Sequence, residues 1–464
     1  MLSRKFLTKN LINSCLFSTN TVVKNALRAC IVGSGPSGFY SSQYLLKHLP
    51  DCRIDLIEKL PVPFGLVRYG VAPDHPEVKN VINTFSKTAE NPNFNFYGNI
   101  SLGKDVSLNE LRQLYDVVVL CYGSDVDSPL GIKGEDIKNV ISAREFVGWY
   151  NGLPHLENFN PDLSGEEAIL IGQGNVAIDV ARILLTPIDI LSKTDITEYA
   201  LEALSRSKIK KVYLVGRRGP LQAAFTIAEL REMLKLPNTD TYWRQTDFEG
   251  IPEKIDSLPR PRKRITELMV KSLNEAKQSS NNKKFLPVFF RSPTQFIGND
   301  KVESVEFSIN ILENESAVAT DKSESLQTQL VCRSIGYKSI SVDASINFDD
   351  KLGRVINKEG RVLKKNSNEV DVGLYVAGWL GTGPSGVILT TMNNAFKISH
   401  TIIDDFRNGI IKCDTNKTGI DPRNYPCITW TDWLKIDKEE TERGHKVNKP
   451  REKIVSIKEM LSIV

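Results

Sequence analysis

Apolar residues along this chain fall into short runs separated by polar, helix-spaced stretches, the alternation that an α/β protein requires. The run at 29–32 reads as a buried strand. It is followed by Gly33-Ser34-Gly35-Pro36-Ser37-Gly38, a helix-spaced stretch, and a second strand pattern at 53–57 that ends in Glu58. The same order recurs at 168–171, then Gly172-Gln173-Gly174-Asn175-Val176-Ala177, then 212–215 running into Gly216-Arg217-Arg218. Strand patterns at 116–120 before Cys121-Tyr122-Gly123-Ser124, and at 330–335 before Gly336-Tyr337, close the two repeats. Another opens at 373–379. The pattern predicts an α/β fold with two Rossmann-like dinucleotide-binding domains, the second inserted into the first, which resumes near Ile340. Polar stretches at 277–284 and 313–329 predict exposed loops or hairpin edges. The tail from Asp414 is rich in Asn, Pro and Lys, with Trp430 and Trp433 as anchors, and no chemistry is assigned to it.

Each glycine turn has a physical reason. Gly33 allows the tight turn, Gly35 lets backbone approach a pyrophosphate, and Gly38 lets helix meet strand; Gly174 and the small Ala177 repeat the scheme. The residues placed to select the sugar carry opposite charge. Glu58 lies about 20 residues beyond the last glycine of the first turn, where an acid holds a free ribose hydroxyl. Arg217 and Arg218 end the equivalent strand of the second repeat, where guanidiniums suit a 2'-phosphate. This contrast predicts FAD on the first unit (28–125 and 340–464) and NADPH on the second (126–339). The duller reading of the arginine pair, a solvated helix start, conflicts with its place directly after a buried strand.

At 464 residues the chain exceeds one ordinary core, and its apolar content of 41% is that of a globular protein. No apolar run is long enough to span a membrane. The seven cysteines include no Cys-x-x-Cys and no metal-ligand spacing, so neither a metal site nor a redox-active cysteine pair is expected. Residues 1–27 carry cations and hydroxyls and no acid, with Leu2, Phe6 and Ile12 among them. This is the pattern of a mitochondrial presequence, a disordered basic tail being the alternative.

Four stretches carry a resemblance. They are Val62-Pro63-Phe64-Gly65-Leu66-Val67-Arg68-Tyr69-Gly70-Val71-Ala72-Pro73-Asp74-His75-Pro76, the stretch from Gly174 to Arg182, Gly216-Arg217-Arg218-Gly219-Pro220, and Gly378-Trp379 with Gly383-Pro384-Ser385-Gly386-Val387-Ile388. From about residue 28 onward the chain resembles the adrenodoxin reductase family, mitochondrial NADPH-dependent flavoprotein reductases of [2Fe-2S] ferredoxins. The resemblance implies that Ser37 and Glu58 hold the adenosine side of FAD and that Leu66 and Leu102 line it. Trp379, Gly386, Val387 and Ile388 would frame the isoalloxazine ring. It implies that Gln173, Gly174, Asn175 and Val176 meet the NADPH pyrophosphate, that Arg217, Arg218 and Glu229 hold its phosphorylated ribose, and that Gly386 lies near the nicotinamide. His75 would pair with Asp179 near the flavin and, with Trp379, serve catalysis. The family pattern leads one to expect a basic residue between Trp379 and Gly383, and Leu380-Gly381-Thr382 has none.

The activity so implied passes electrons from NADPH through FAD, one at a time, to a mitochondrial ferredoxin that supports iron–sulfur cluster, haem or steroid-type biosynthesis. The dense run Arg260-Pro261-Arg262-Lys263-Arg264 is the expected dock for an acidic ferredoxin, through Arg260 and Arg264, with Arg231 and Lys47 as weaker candidates. No aromatics interleave with these cations, which argues against nucleic acid. A matrix location follows, leaving open a peripheral seat on the inner membrane. Two alternatives share the nucleotide turns: a non-catalytic nucleotide-binding subunit, and an electron-supplying subunit like the small subunit of glutamate synthase. The second would normally bring cysteine-rich iron–sulfur segments, which this chain lacks.

Overall fold

The computed structural model describes residues 26–275 and 282–464; the expected presequence lies almost wholly outside them. The chain begins with β1 (Arg28–Val32), turns into α1 (Pro36–His48), and returns through β2 (Arg53–Ile57), β3 (Phe94–Gly98) and β4 (Val117–Leu120). β1 lies between β2 and β4, all parallel, with Ile31 opposite Leu56 and Val119. Residues 29–32 of β1 and all of β4 are apolar on both faces because both faces are covered, as parallel sheets require, while β2 buries Asp55 with Tyr115 and Asn95 donating to it.

Next comes a six-stranded, wholly parallel sheet in the order Val140–Ser142, Leu330–Arg333, β5 (Glu167–Ile171), β6 (Lys211–Val215), Lys283–Val288, Thr239–Thr241. Against it pack α2 (Asn175–Leu185), α3 (Ile227–Leu234) and α4 (Arg260–Asn274). Lys283 and Lys284, expected in an exposed loop, instead open a strand held between two neighbours. The apolar run that follows them fixes the strand, and the Lys283 ammonium reaches the Leu184 carbonyl at 3.2 Å. The polar stretch after residue 313 does form a hairpin edge, Ser316–Gln327, in a three-stranded antiparallel sheet.

The chain then rejoins the first sheet through β7 (Val370–Val376), parallel to β4, and continues through α5 (Ile388–Arg407) and α6 (Trp430–Lys446). The finished sheet has eight strands, in the order Asn357–Lys358, Arg361–Leu363, β7, β4, β1, β2, β3, Ile428–Thr429. Trp433 and Ile436 of α6 join the same core as Phe39 and Phe64. The two sheets thus have separate apolar cores, one drawn from residues 143–332 and the other from 27–121 and 375–460. Where the chain crosses between them, Val126–Asp127 pairs antiparallel with Tyr337–Lys338, so both crossings form one ribbon.

Candidate functional site

The first glycine turn is shaped by contacts that a side chain would break. Gly33 has φ +107°, and a Cβ on it would lie 2.7 Å from the Cys121 carbonyl at the end of β4. A Cβ on Gly38 would meet the Gly33 carbonyl at 2.0 Å, whereas one on Gly35 would meet nothing within 4 Å. The open face therefore lies over the middle glycine. There α1 begins with Pro36 and no side-chain cap, leaving its first amides and positive dipole end available to an anion. Glu58 follows β2 beside this turn, its carboxylate accepting from the Ser34 amide at 2.9 Å, the Ser34 hydroxyl at 2.7 Å and the Leu60 amide at 3.1 Å. Ser37 and Leu102 are buried; Leu66 is exposed.

Chain remote in sequence completes this side. Gly378 has φ +71° and packs on Ser37, while Trp379 opens a short helix and donates from Nε1 to the Ser385 carbonyl at 3.0 Å. The Trp379 ring stacks on Tyr337 of the ribbon, centroids 6.0 Å apart. Gly386 and Val387 are exposed, and α5 starts at Ile388 without a side-chain cap.

The second turn repeats the first. Gly172 has φ +124°, and its Cβ would lie 2.0 Å from the Ser334 carbonyl; Gly174 is open; Ala177 is fully buried. The Gln173 side chain donates to the Val288 carbonyl at 3.2 Å, and the Asn175 side chain accepts from the Thr226 amide at 2.8 Å. Val176 is half-buried. Arg217 is exposed and Arg218 partly so, and among the described residues neither has an ion-pair partner. Their backbone is fixed: Asn310 donates to the Arg217 carbonyl at 2.8 Å, and the Phe290 amide to that of Arg218 at 3.1 Å. Both turns thus offer an uncovered glycine at a helix start, which fits a dinucleotide pyrophosphate in each unit.

Between the units lies a charged cluster that is legible in the sequence only in part. His75 Nε2 stands 2.5 Å from Glu232 Oε2, so its hydrogen-bond partner is Glu232 and not Asp179. Arg182 of α2 holds the cluster together, bonding Asp74 at 2.5 and 3.1 Å, Asp179 at 2.8 Å and Glu229 at 3.2 Å. Glu229, expected at the ribose with Arg217 and Arg218, aims its carboxylate at Arg182. His75, Asp179 and Glu229 bring ligand-type atoms within 4.8 Å of one another, but the Arg182 guanidinium already donates to both acids. Burial raises Asp179 against the pull of Arg182. Burial, with Asp179 beside it, pushes Glu229 up to about 7, so the cluster can hold a proton near neutral pH. Asp179 and Arg182 are an i,i+3 pair on α2 that the sequence could have given, whereas only tertiary contact brings Asp74 and Glu232 to them.

Arg231, Arg260, Arg264 and Lys47 are exposed. Arg262, on the same first turn of α4, faces inward and donates to the Ala223 carbonyl at 2.7 Å, beside a cavity of about 500 Å³ between residues 223–227 and 259–265. Among the described residues no helix is long and apolar enough to cross a membrane.

Comparison with known proteins agrees with this architecture. Residues 31–97 match the model of the NAD(P)-binding Rossmann-like domain. The chain is 58% identical over 437 residues to the mitochondrial NADPH:adrenodoxin oxidoreductase of Drosophila melanogaster, covering 94% of this chain and 93% of that protein. It is 47% identical to the human protein of that name, covering 94% and 91%. Among solved structures, Mycobacterium tuberculosis FprA in complex with NADPH superposes with a TM-score of 0.87 at 38% identity, covering 94% of this chain and 99% of that one.

Proposed function

Because this chain belongs to the family of mitochondrial NADPH:adrenodoxin oxidoreductases, we propose that the two glycine turns divide its cofactors, FAD on the α1 side and NADPH on the α2 side. The protein is a mitochondrial flavoprotein oxidoreductase that takes electrons from NADPH and delivers them through FAD to a ferredoxin. The observation that carries the cofactor assignment is the charge contrast beside two equivalent open turns: Glu58 at the first, Arg217 and Arg218 at the second. The FAD unit comprises 28–125 and 340–464, and the NADP unit 126–339.

Bound FAD supplies the conversion of a two-electron hydride into single electrons. The residues of this chain hold, orient and insulate. Gly33, Gly35, Gly38 and the amides at the start of α1 receive the FAD pyrophosphate; Ser37, Glu58, Leu66 and Leu102 bound its adenosine side. Trp379, Gly386, Val387 and Ile388 frame the ring. Gln173, Gly174, Asn175 and Val176 receive the NADPH pyrophosphate, and Arg217 and Arg218 its 2'-phosphate, while Glu229 is turned to Arg182. Each turnover also releases a proton. His75 Nε2 passes it to the Glu232 carboxylate, itself half-exposed, with Asp179 and Glu229 placed within 4.8 Å of the imidazole.

The electron acceptor is an acidic [2Fe-2S] ferredoxin of the mitochondrial matrix, docked on Arg260 and Arg264 with Arg231 at the margin. The exposure of these three arginines, which have no ion-pair partner among the described residues, supports this reading, since complementary charge speeds encounter. The test is spectroscopic. The purified protein is yellow, its visible flavin bands bleach with NADPH, and it reduces cytochrome c only when a ferredoxin is added. A folded sample that binds no flavin, or whose flavin NADPH leaves oxidised, overturns the reading.

A further inference from the structure

Six residues, 74–79, run along the junction between the two units and are gripped at both ends by charges of the second unit. At one end Asp74 bonds Arg182. At the other, Lys79 Nζ lies 2.6 and 2.8 Å from the two oxygens of Asp195. The polarity is reversed between the two grips, acid to arginine and then lysine to acid, and His75 sits between them. Asp195 also receives a second ammonium. Lys453, from the segment after α6, reaches Asp195 Oδ2 at 3.0 Å, the Asp195 carbonyl at 3.2 Å and Asn151 Oδ1 at 3.4 Å. Lys79, Asp195 and Lys453 are almost wholly buried.

One carboxylate thus holds a lysine from each flank of the flavin-bearing body. The same stretch of chain reaches the flavin side: Gly65 lies against Gly35, where a Cβ on Gly65 would approach the Gly35 Cα to 3.0 Å. Residues 65–79 therefore form a continuous strut from the open glycine of the FAD turn to Asp195 of the other unit. A buried ion cluster is a weak source of stability, because desolvation offsets attraction; what this one supplies is a fixed separation between the groups it joins.

We propose that Asp195 is a positioning residue for hydride transfer: by holding Lys79 and Lys453 it sets the approach of the nicotinamide-bearing unit to the flavin. This deepens the function proposed above and rests on it. Hydride transfer needs reacting atoms about 3–3.5 Å apart, and a small displacement of one unit against the other degrades that approach while leaving each nucleotide turn intact.

The test uses the holoenzyme with FAD bound, in stopped flow. Asp195→Asn keeps shape and removes the charge. The expected result is a fall of about 10- to 100-fold in the limiting rate of flavin bleaching at saturating NADPH. Affinity for 2',5'-ADP, which fills only the arginine end of the coenzyme site, stays within about two-fold. Lys79→Gln gives the same split and serves if Asp195→Asn does not accumulate, while Lys79→Arg, which still reaches the carboxylate, recovers most of the rate. A limiting rate unchanged in both Asp195→Asn and Lys79→Gln, or a loss visible only in melting temperature or NADPH affinity, overturns the proposal. Failure of the unaltered enzyme to bleach at all would instead overturn the function on which it rests.

Discussion

Gly378 sits against Ser37, a residue some 340 positions earlier, so closely that a Cβ on the glycine would lie 2.8 Å from both the serine Cβ and its Oγ. At φ +71° and ψ −155° Gly378 also occupies a region that is essentially reserved for glycine. Gly378→Ala therefore costs about 1–3 kcal/mol in backbone strain alone and pushes the Trp379 loop off α1. The expected outcome is weakened FAD retention on gel filtration, with partial recovery when Ser37→Gly makes room. Full flavin content in the single variant would refute the tight joint.

Arg217 and Arg218 are expected to decide between coenzymes. Replacing either with glutamine removes a charge-assisted contact worth about 1.5–3 kcal/mol, so kcat/KM for NADPH falls roughly 10- to 100-fold while that for NADH changes little. The ratio of the two, measured by flavin bleaching, is the readout. Retention of the NADPH preference in the double variant would end the sugar-selection argument.

Docking is expected to be electrostatic. Arg260→Gln with Arg264→Gln should raise the KM for ferredoxin about ten-fold or more and flatten the dependence of cytochrome c reduction on salt. An unaltered salt profile would place the dock elsewhere.

The sequence was most informative where a requirement is local. A glycine turn is a property of a few consecutive backbones, so Gly33, Gly35, Gly38, Gly172 and Gly174 announce it. Glu58 and the arginine pair follow from strand length. What the sequence concealed depends on partners brought together by folding, such as Glu232 beside His75. The tail after Asp414, to which composition assigns anchors but no chemistry, includes the 17-residue helix α6, whose Glu440 is buried against Arg68 and also accepts from the Ile454 amide at 3.0 Å. One local signal did exist: Thr429 and Asp432 form a capping box at the start of that helix.

The Lys79–Asp195–Lys453 group carries a pH signature. Burial pushes Lys453 down to about 7, with Lys79 and Arg68 adding repulsion and Asp195 pulling the other way. A lysine whose folded pKa lies below its unfolded value near 10.4 is penalised while charged, and its unfolded form binds more protons between about pH 7 and 10. Its contribution to stability therefore rises with pH across that window and is flat below it. Lys453→Met should lessen that rise in chemical-denaturation midpoints measured from pH 6 to 10. A slope identical to that of the unaltered protein would show that Lys453 does not titrate there.

Pairing of Val126–Asp127 with Tyr337–Lys338 brings the entry and exit of the intervening chain side by side. Everything between them leaves and re-enters the body built on the eight-stranded sheet at one address, as an insertion with adjacent ends does. A module attached in this way can be exchanged without rethreading its host, so under the division of cofactors proposed above the coenzyme site is a separable part of the molecule.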